Sequence, residues 1–129
     1  MMAPIMKQKR TILVIDDEKA VREAVADILE LEGLSVLTAH NGESGVALYK
    51  EQQADIGMII LDLSMPGLTG QETLARLQAI NPDVVILISS GYSGYEVTDM
   101  FADLNVTGLL QKPYNALHLI NTVRKYLTE

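Results

Sequence analysis

The stretch TILVIDDE, residues 11–18, decides how the rest of the chain is interpreted. Its first five residues are mostly apolar and β-branched, as in a strand that is buried on both faces. Three acidic residues, Asp16, Asp17 and Glu18, follow directly. Like charges at the mouth of a buried strand repel one another and lose hydration. The stretch therefore predicts a central strand whose end holds a functional site, with a cation close by to offset the acidic charge.

The composition favours one globular domain that does not bind nucleic acid. The chain has 129 residues, of which 48% are hydrophobic, so it is long enough to enclose a core. Its formal net charge is −7, and three of its ten Lys and Arg residues lie within residues 1–10. Because phosphate contacts need clustered Lys and Arg, the acidic body argues against a nucleic-acid interface.

The sequence also lacks the marks of secreted and membrane proteins. No apolar run approaches the ~20 residues that cross a bilayer, and the N-terminal residues have no signal-peptide pattern. The chain has no cysteine, which excludes disulfides and thiolate metal sites. We therefore expect a cytoplasmic domain without membrane contact.

Apolar runs alternate with segments of helical period along the chain. Five runs predict strands, at residues 11–15, 35–39, 57–61, 84–89 and 106–110. Amphipathic periodicity predicts helices at residues 21–29, 41–52, 70–80, 97–104 and 116–127. Gly33 ends the first helix, and Asn81-Pro82 ends the third. The two glycines in 41–52 make that helix the weakest prediction.

This alternation predicts an α/β fold with a single doubly wound, five-stranded parallel sheet and helices on both faces. The first, third and fourth runs are almost wholly apolar and suit central strands, whereas the runs at 35–39 and 106–110 contain Ser, Thr or Gly and suit edges. Right-handed crossovers then favour the strand order 2-1-3-4-5. In such sheets, ligands bind beyond the carboxyl ends of the strands where strands 1 and 3 diverge.

Polar residues follow four of the predicted strands at this edge. They are Asp16 and Asp17 after strand 1, Asp62 after strand 3, Ser89, Ser90 and Gly91 after strand 4, and Lys112 after strand 5. Three carboxylates from adjacent strands make an oxygen-rich site of the kind that Mg²⁺ prefers. The metal and the Lys112 ammonium would offset the acidic repulsion, so the sequence predicts a magnesium site here.

Each motif alone has a structural explanation. Asp17 could cap the helix that begins near Lys19. Ser-Ser-Gly is common in turns, and Lys-Pro is common in loops. A capping role for Asp17 accounts for neither Asp16 nor Asp62. The acids, the serines and the lysine each follow a strand at the sheet edge where a ligand is expected to bind, and this combination favours a functional site.

The chain resembles the receiver domains of two-component signalling over residues 10–128. The motifs that carry the resemblance are ILVIDDE, IILDLSMPGLTG, ILISSG and LLQKP. It implies a flavodoxin-like receiver domain at residues 11–128, preceded by an N-terminal tail or linker at residues 1–10. Such a domain is not an enzyme as a stand-alone chain, although it catalyses its own phosphorylation and dephosphorylation.

The resemblance also implies the roles of the acidic residues. Asp62 matches the phosphoacceptor, which attacks the phosphohistidine of a histidine kinase or a histidine phosphotransfer domain and becomes an aspartyl phosphate. Asp17 and Asp62 would bind Mg²⁺ directly, Asp16 would act through a water, and the Ser64 carbonyl would supply a further ligand. The histidine donor is expected to dock around the first helix, near Arg22.

The other site residues follow from the same resemblance. Lys112 would pair with Asp62 at rest and with a phosphoryl oxygen after transfer, and a cis peptide would link it to Pro113. Ser90, rather than Ser89, would donate its hydroxyl to the phosphoryl group, because it directly precedes Gly91 and the family has a small residue at that next position. His40 and His118 are interpreted as surface or helix residues.

Two positions depart from the family pattern. Leu109 stands where many receivers have an aromatic residue that rotates inward on activation, which puts that switch in doubt. Tyr92 lies two residues after Ser90, beside the expected path of the hydrolytic water. It either slows dephosphorylation or is an exposed loop tyrosine.

The parent protein and two rival functions stay open at the level of sequence. SSGYSG and LLQKPY favour a hybrid histidine kinase over a stand-alone receiver or a regulator, and the face of helix 4, strand 5 and helix 5 is suited to homodimers. A Mg²⁺-dependent phosphohydrolase of small substrates is the alternative, although it usually has a second acid where this chain has Ser64. A flavodoxin relative would need a Ser/Thr/Gly-rich phosphate loop after strand 1, where this chain has acids.

Overall fold

The structure is a computed structural model that describes residues 11–63, 69–91 and 106–127. Strands and helices alternate through the first four strands. The elements are β1 (Thr11–Ile15), α1 (Lys19–Leu31), β2 (Ser35–Ala39), α2 (Gly42–Gln52), β3 (Ile56–Asp62), α3 (Gly70–Ile80), β4 (Ile86–Ser90), β5 (Gly108–Gln111) and α4 (Ala116–Tyr126). The helix predicted at 97–104 lies outside the described residues.

The five strands form one parallel sheet in the order β2-β1-β3-β4-β5, which confirms the predicted topology. β3 is longer than predicted because Asp62 continues the ladder as the partner of Ser89. β4 begins two residues later than predicted. The Val84 amide donates to the carbonyl of Asn81 at 3.1 Å, so Val84 belongs to the turn that follows α3.

Two apolar clusters cover the two faces of the sheet. Leu13 and Ile15 of β1 face the cluster that contains α2 and α3, whereas Ile12 and Val14 face the cluster that contains α1 and α4. This alternation is the two-residue period of a strand. Since successive strand residues point to opposite faces, the same alternation determines the face on which each polar residue of the site begins.

The start of α1 corrects one structural explanation given above. The helix begins at Lys19 with Glu18 as its N-cap residue, and Glu18 makes no side-chain capping bond. Asp17 is therefore not the helix cap. The reason is that the Asp16 carboxylate accepts the Glu18 amide at 2.9 Å, which uses the acid nearest the strand to shape the turn.

Gly33 terminates α1 as predicted, two residues after the last helical residue, Leu31. Gly33 has a φ of 82°, and its amide donates to Glu30 while the Leu34 amide donates to Leu29. These two bonds form a Schellman motif, which favours glycine because a side chain is strained at positive φ. The chain is thereby turned directly into β2.

Gly45 explains why α2 forms despite its glycines. A Cβ at Gly45 would collide with the side chain of Ile15, so glycine lets the helix lie close against β1. The Asn41 side chain accepts the Ser44 amide at 2.7 Å and caps the helix.

Among the described residues, no helix is long and apolar enough to cross a membrane.

Candidate functional site

Three acidic side chains meet at the carboxyl ends of β1 and β3. Asp16, Asp17 and Asp62 each place a carboxylate oxygen within 4.8 Å of the others. Asp16 and Asp62 are 2% exposed, whereas Asp17 is exposed to solvent. The sequence predicted this convergence from the parallel topology, and the structure brings the three residues together.

Backbone contacts fix the chain just after β1. The Asp16 amide donates to the carbonyl of Ala39 at 3.1 Å, which continues the β1–β2 ladder beyond the strand. Arg22 donates from its guanidinium to the Asp16 carbonyl at 2.7 Å. Together with the contact between Asp16 and the Glu18 amide, these bonds hold the Asp16 carboxylate at the end of the strand.

Lys112 supplies the cation that the acidic cluster requires. Its backbone amide donates to the carbonyl of Ser90 at 2.7 Å, which ties the residue to the end of β4. Its Nζ atom lies 3.3 Å from Asp62 Oδ1 and 3.6 Å from Asp16 Oδ2. The ion pair with Asp62 that the family resemblance implied is therefore present.

The surroundings of Lys112 keep it charged. Burial lowers the pKa of its ammonium, but the attraction of Asp62 and Asp16 raises it more, so the pKa lies above its ordinary value. A protonated lysine beside two buried carboxylates reduces their mutual repulsion. The carboxylates of the acidic cluster are thus held close together, and the Lys112 ammonium offsets part of their negative charge.

The two serines at the end of β4 are both buried and point to different faces. Ser89 and Ser90 are each 1% exposed. By strand alternation, Ser89 lies on the α1–α4 face with Leu87, and Ser90 lies on the α2–α3 face with Ile88. Ser89 is also the ladder partner of Asp62.

Tyr114 is a neighbour of the site that the sequence analysis missed. Its side chain is partly buried and packs against the α1–α4 core. Burial raises the pKa of its phenol, whereas the Ser89 hydroxyl and the Lys112 ammonium lower it in part, and the net direction is upward. The signal available in the sequence was an aromatic residue directly after the Lys-Pro pair.

The remaining predictions are partly tested. The Lys112–Pro113 peptide is cis, and His40 and His118 are exposed, all as predicted. Leu109 is half-buried and packs against the α2–α3 core. Ser64 and Tyr92 lie outside the described residues.

The acidic cluster fits a hard divalent cation. Carboxylate oxygens are the donors that Mg²⁺ prefers, and this ion commonly keeps several waters and shares a phosphate oxygen. Asp17 is exposed, so the cluster is open to solvent at that residue. The donor set of Asp16, Asp17 and Asp62 therefore matches Mg²⁺.

An apolar groove lies between α1 and the segment that leads into α4. It has a cavity volume of about 390 Å³ and is lined by Ala20, Val21 and Ala24 on one side and by Pro113 and Tyr114 on the other. Lys112 also lines this groove, so an apolar surface adjoins the acidic cluster.

Comparisons with known proteins agree on one family. The model of the response regulator receiver domain matches residues 12–124. The chain is 36% identical over 121 residues to the hydrogenase transcriptional regulatory protein HoxA of Cupriavidus necator, covering 92% of this chain and 24% of HoxA. It is 34% identical over 109 residues to the autoinducer 1 sensor kinase/phosphatase LuxN of Vibrio campbellii, covering 84% of this chain and 12% of LuxN.

A solved structure supports the same fold. The chemotaxis protein CheY4 of Vibrio cholerae superposes with a TM-score of 0.80 at 31% identity, covering 91% of this chain and 98% of CheY4. The chain thus spans nearly all of the solved CheY4 chain. It spans about a quarter of HoxA and an eighth of LuxN.

Proposed function

The chain belongs to the response regulator receiver domains of two-component systems, and we propose on that premise that Asp62 accepts a phosphoryl group from a phosphohistidine, with Mg²⁺ as cofactor. One observation supports this proposal most. The Asp62 carboxylate is buried between an ammonium, 3.3 Å away on Lys112, and two further carboxylates that could hold a metal. A cation bound beside Asp16 and Asp17 would offset the remaining negative charge of this cluster.

The proposed reaction is a displacement at phosphorus. A carboxylate oxygen of Asp62 attacks the phosphorus atom, and the bond between phosphorus and the imidazole nitrogen of the donor breaks. The electron pair of that bond stays on the imidazole, and Asp62 becomes an acyl phosphate. Bound Mg²⁺ would neutralise charge on the phosphoryl oxygens, held by Asp17 and Asp62, by Asp16 through a water and by the Ser64 carbonyl.

Lys112 and a serine of β4 position the phosphoryl group in this proposal. Lys112 moves from Asp62 to a phosphoryl oxygen once the carboxylate has lost its negative charge. Lys112 directly follows β5, and its amide is bonded to the Ser90 carbonyl, so its ammonium stays beside Asp62. The resemblance assigned the second phosphoryl contact to Ser90, which lies on the opposite face of the sheet from Asp62. Ser89 is the ladder partner of Asp62 and lies on its face, so the Ser89 hydroxyl is proposed to donate to the second phosphoryl oxygen instead.

The histidine donor is proposed to dock on the α1 side of the site. The groove between α1 and Pro113–Tyr114 is apolar and opens beside Lys112, and Arg22 of α1 lies next to the Asp16 carbonyl. A helical histidine kinase or phosphotransfer domain could bury apolar side chains there while presenting its phosphohistidine to Asp62. The face of β5, α4 and the helix predicted at 97–104 is the proposed site of homodimer contact.

The parent protein is proposed to be a hybrid sensor histidine kinase. The likeness to LuxN, a sensor kinase/phosphatase by name, supports this origin, and the likeness to HoxA equally suits a transcriptional regulator. A domain of residues 11–128 with a tail or linker before it, working in the cytoplasm, accords with both. A phosphohydrolase stays the alternative function, and catalytic turnover of a small phosphate ester would favour it.

Intact-mass measurement tests the proposal. Wild type, Asp62→Asn and Asp27→Asn are incubated with acetyl phosphate, each with and without Mg²⁺. Asp27 is an exposed acid of α1 and serves as the matched control. One added phosphoryl group is expected in wild type and Asp27→Asn with Mg²⁺ only, and none in Asp62→Asn. An adduct that persists in Asp62→Asn would contradict the assignment.

A further inference from the structure

The outer edge of β2 is open to a further strand. In the described part of the chain, β2 pairs with β1 alone and lies at one end of the sheet. Its residues, Ser35–Ala39, include no charged residue and no proline, which are common means of keeping an edge strand from pairing with another chain. An edge without such protection is a template for the addition of a strand.

The backbone groups that face this edge belong to Val36 and Thr38. The Ala39 carbonyl accepts the Asp16 amide at 3.1 Å, so Ala39 directs its backbone groups toward β1. Along a strand, successive residues direct their N–H and C=O groups to opposite sides. Leu37 therefore also serves the ladder with β1, whereas Val36 and Thr38 offer their N–H and C=O groups to the open edge.

α1 carries charges of both signs beside this edge. A groove with a cavity volume of about 370 Å³ lies between the helix and the strand, and its lining residues are Lys19, Arg22, Glu23, Ala26, Asp27, Val36 and Thr38. The basic residues come first along α1 and the acidic residues follow. The helix dipole favours the reverse order, and α1 has no acid in its first turn and no base in its last. The stability of the helix alone therefore does not explain its charge pattern.

Two copies joined along β2 would bring like helices together. Two β2 strands related by a two-fold axis run antiparallel, ~4.8 Å apart. α1 packs over β1 and β2 on one face of the sheet, and α2 packs over the same two strands on the other. Each helix then lies ~5 Å from the axis, so the two copies of either helix lie ~10 Å apart, which is within helix packing distance.

This antiparallel arrangement pairs opposite charges on the α1 side. The basic start of one α1 helix, with Lys19, meets the acidic part of the other, with Glu23 and Asp27. Within one copy Lys19 pairs only with Glu23 among the described residues, at 3.7 Å, and both side chains are mostly exposed. Ala26, which also lines the groove, has a small side chain that allows close approach of the two helices.

The α2 side is self-complementary in the same way. Glu43 in the first turn and Lys50 in the last turn are exposed, and seven residues place them on one flank of the helix. The other flank, with Leu48, is half-buried where α2 packs beside α3, so Glu43 and Lys50 face the β2 edge.

The levels of these charges match the middle of β2. The midpoint between Glu43 and Lys50 lies ~7 Å from the start of α2, and Leu37 lies ~7 Å from the end of β2. Only two residues connect β2 to α2. A two-fold axis at Leu37 therefore places Glu43 beside Lys50 of the second copy.

We propose that a second copy of this chain docks along β2, which joins the two five-stranded sheets into one. The contact is isologous, so β2, α1 and α2 each meet their own counterpart across the two-fold axis. It lies at the opposite edge of the sheet from β5, where the homodimer contact of the proposed function was placed. It uses neither the acidic cluster nor Lys112, so it does not depend on the proposed function.

Sedimentation equilibrium of the unphosphorylated chain tests the contact. The paired strands are short, so we expect a weak dimer, with a dissociation constant on the order of 0.1 mM. Thr38→Pro removes an outward amide without removing a donor of the β1–β2 ladder, and Thr38→Lys places a charge at the edge. Each should raise the dissociation constant about tenfold or more. Thr38→Val keeps both the amide and the strand preference, and should change it by less than about twofold.

A charge exchange on α2 tests the position of the two-fold axis. Glu43→Lys and Lys50→Glu each place like charges opposite one another and should raise the dissociation constant about three- to tenfold. The double variant restores opposite charges and should return to within about twofold of wild type. Glu51→Lys makes the same change of net charge as Glu43→Lys on the outer face of α2, and serves as the control.

The outcomes that contradict the inference are distinct. Wild type that stays monomeric at about ten times the expected dissociation constant would overturn it, and would leave the edge to another occupant such as the N-terminal tail. A dimer that Thr38→Pro and Thr38→Lys leave unchanged forms elsewhere, as at the β5 face, and would overturn it as well. So would a double α2 variant that does not regain the affinity that the single variants lose.

Discussion

The bodies and the carboxyl ends of β1 and β3 are equally buried but differ in chemistry. Leu13 and Leu61 are 0% exposed, and Asp16 and Asp62, a few residues on, are 2% exposed. Burying a large apolar side chain contributes about 1.5–3 kcal/mol to the free energy of unfolding. Burying a carboxylate opposes folding unless a cation or hydrogen bonds compensate it.

This difference shows where the domain gives up stability for chemistry. The strand bodies stabilise the fold by packing between two helical layers. The strand ends hold charges that depend on one partly exposed lysine, on backbone amides and, in the proposed function, on a metal. Substitutions in the bodies should therefore change stability alone, and substitutions at the ends should couple stability to ligands and pH.

A truncation in the strand body should have the largest effect on stability. Leu61→Ala is expected to lower the free energy of unfolding by about 2–5 kcal/mol, because it opens a cavity in the core. Leu117→Ala, at a position 66% exposed, should change it by less than about 0.5 kcal/mol. Urea denaturation measures both. Similar losses in the two variants would show that the sheet body does not dominate stability.

Metal binding at the strand ends should come next in size. At about 100 times its dissociation constant, Mg²⁺ should raise the free energy of unfolding by about 2.7 kcal/mol. Asp17→Asn should remove most of this gain without harming the metal-free fold, because Asp17 is exposed. Asp27→Asn provides the control. Thermal unfolding with and without Mg²⁺ measures the gain in each variant. A full stabilisation of Asp17→Asn by Mg²⁺ would exclude Asp17 as a ligand.

Removal of the lysine should lower the free energy of unfolding without metal but raise the affinity for Mg²⁺. Without Mg²⁺, Lys112→Met should lose about 1–2 kcal/mol, less than a fully buried pair, because the lysine is partly exposed. Its Mg²⁺ affinity should rise, because a competing cation has gone. Lys50→Met, an exposed lysine of α2, is the control. Greater stability of Lys112→Met without metal would contradict the proposed compensation.

Alkaline pH should have the smallest effect. The pKa values of Lys112 and Tyr114 both lie above their ordinary values, of 10.5 and 10.0. A group with a raised pKa stabilises the fold fully below its unfolded pKa and loses that contribution as pH rises through the folded pKa. Stability should therefore decline above about pH 10. Tyr114→Phe should decline less steeply in denaturant titrations, and an identical decline would contradict the role of burial at Tyr114.

The sequence predicted the sheet well because its signals are local. Apolar runs marked the strands, and their relative polarity placed the 35–39 and 106–110 runs at the edges, as the strand order confirms. The start of β4 was wrong because Val84 is as apolar as a strand residue but is held by the turn after Asn81.

The site was predicted in its charged residues but not in its hydroxyl neighbours. Asp16, Asp17 and Lys112 follow strand ends and Asp62 is the last residue of β3, so topology alone brings them together. Alternation puts Ser89 and Ser90 on opposite faces, but only the ladder register shows that Ser89 is the one that shares a face with Asp62. The place of Tyr114 in the groove depends on the path of the chain after Pro113. The roles given to Ser64 and Tyr92 stay predictions.

Chemical mapping of the phosphorylated residue tests the central claim most directly. Borohydride reduces an aspartyl phosphate to homoserine, which peptide mass analysis locates in the chain. After treatment with acetyl phosphate and Mg²⁺, the account predicts homoserine at position 62 and unmodified aspartate at positions 16 and 17. Homoserine at Asp16 or Asp17, or a phosphoryl adduct that yields no homoserine at all, would contradict the assignment of Asp62 as the acceptor.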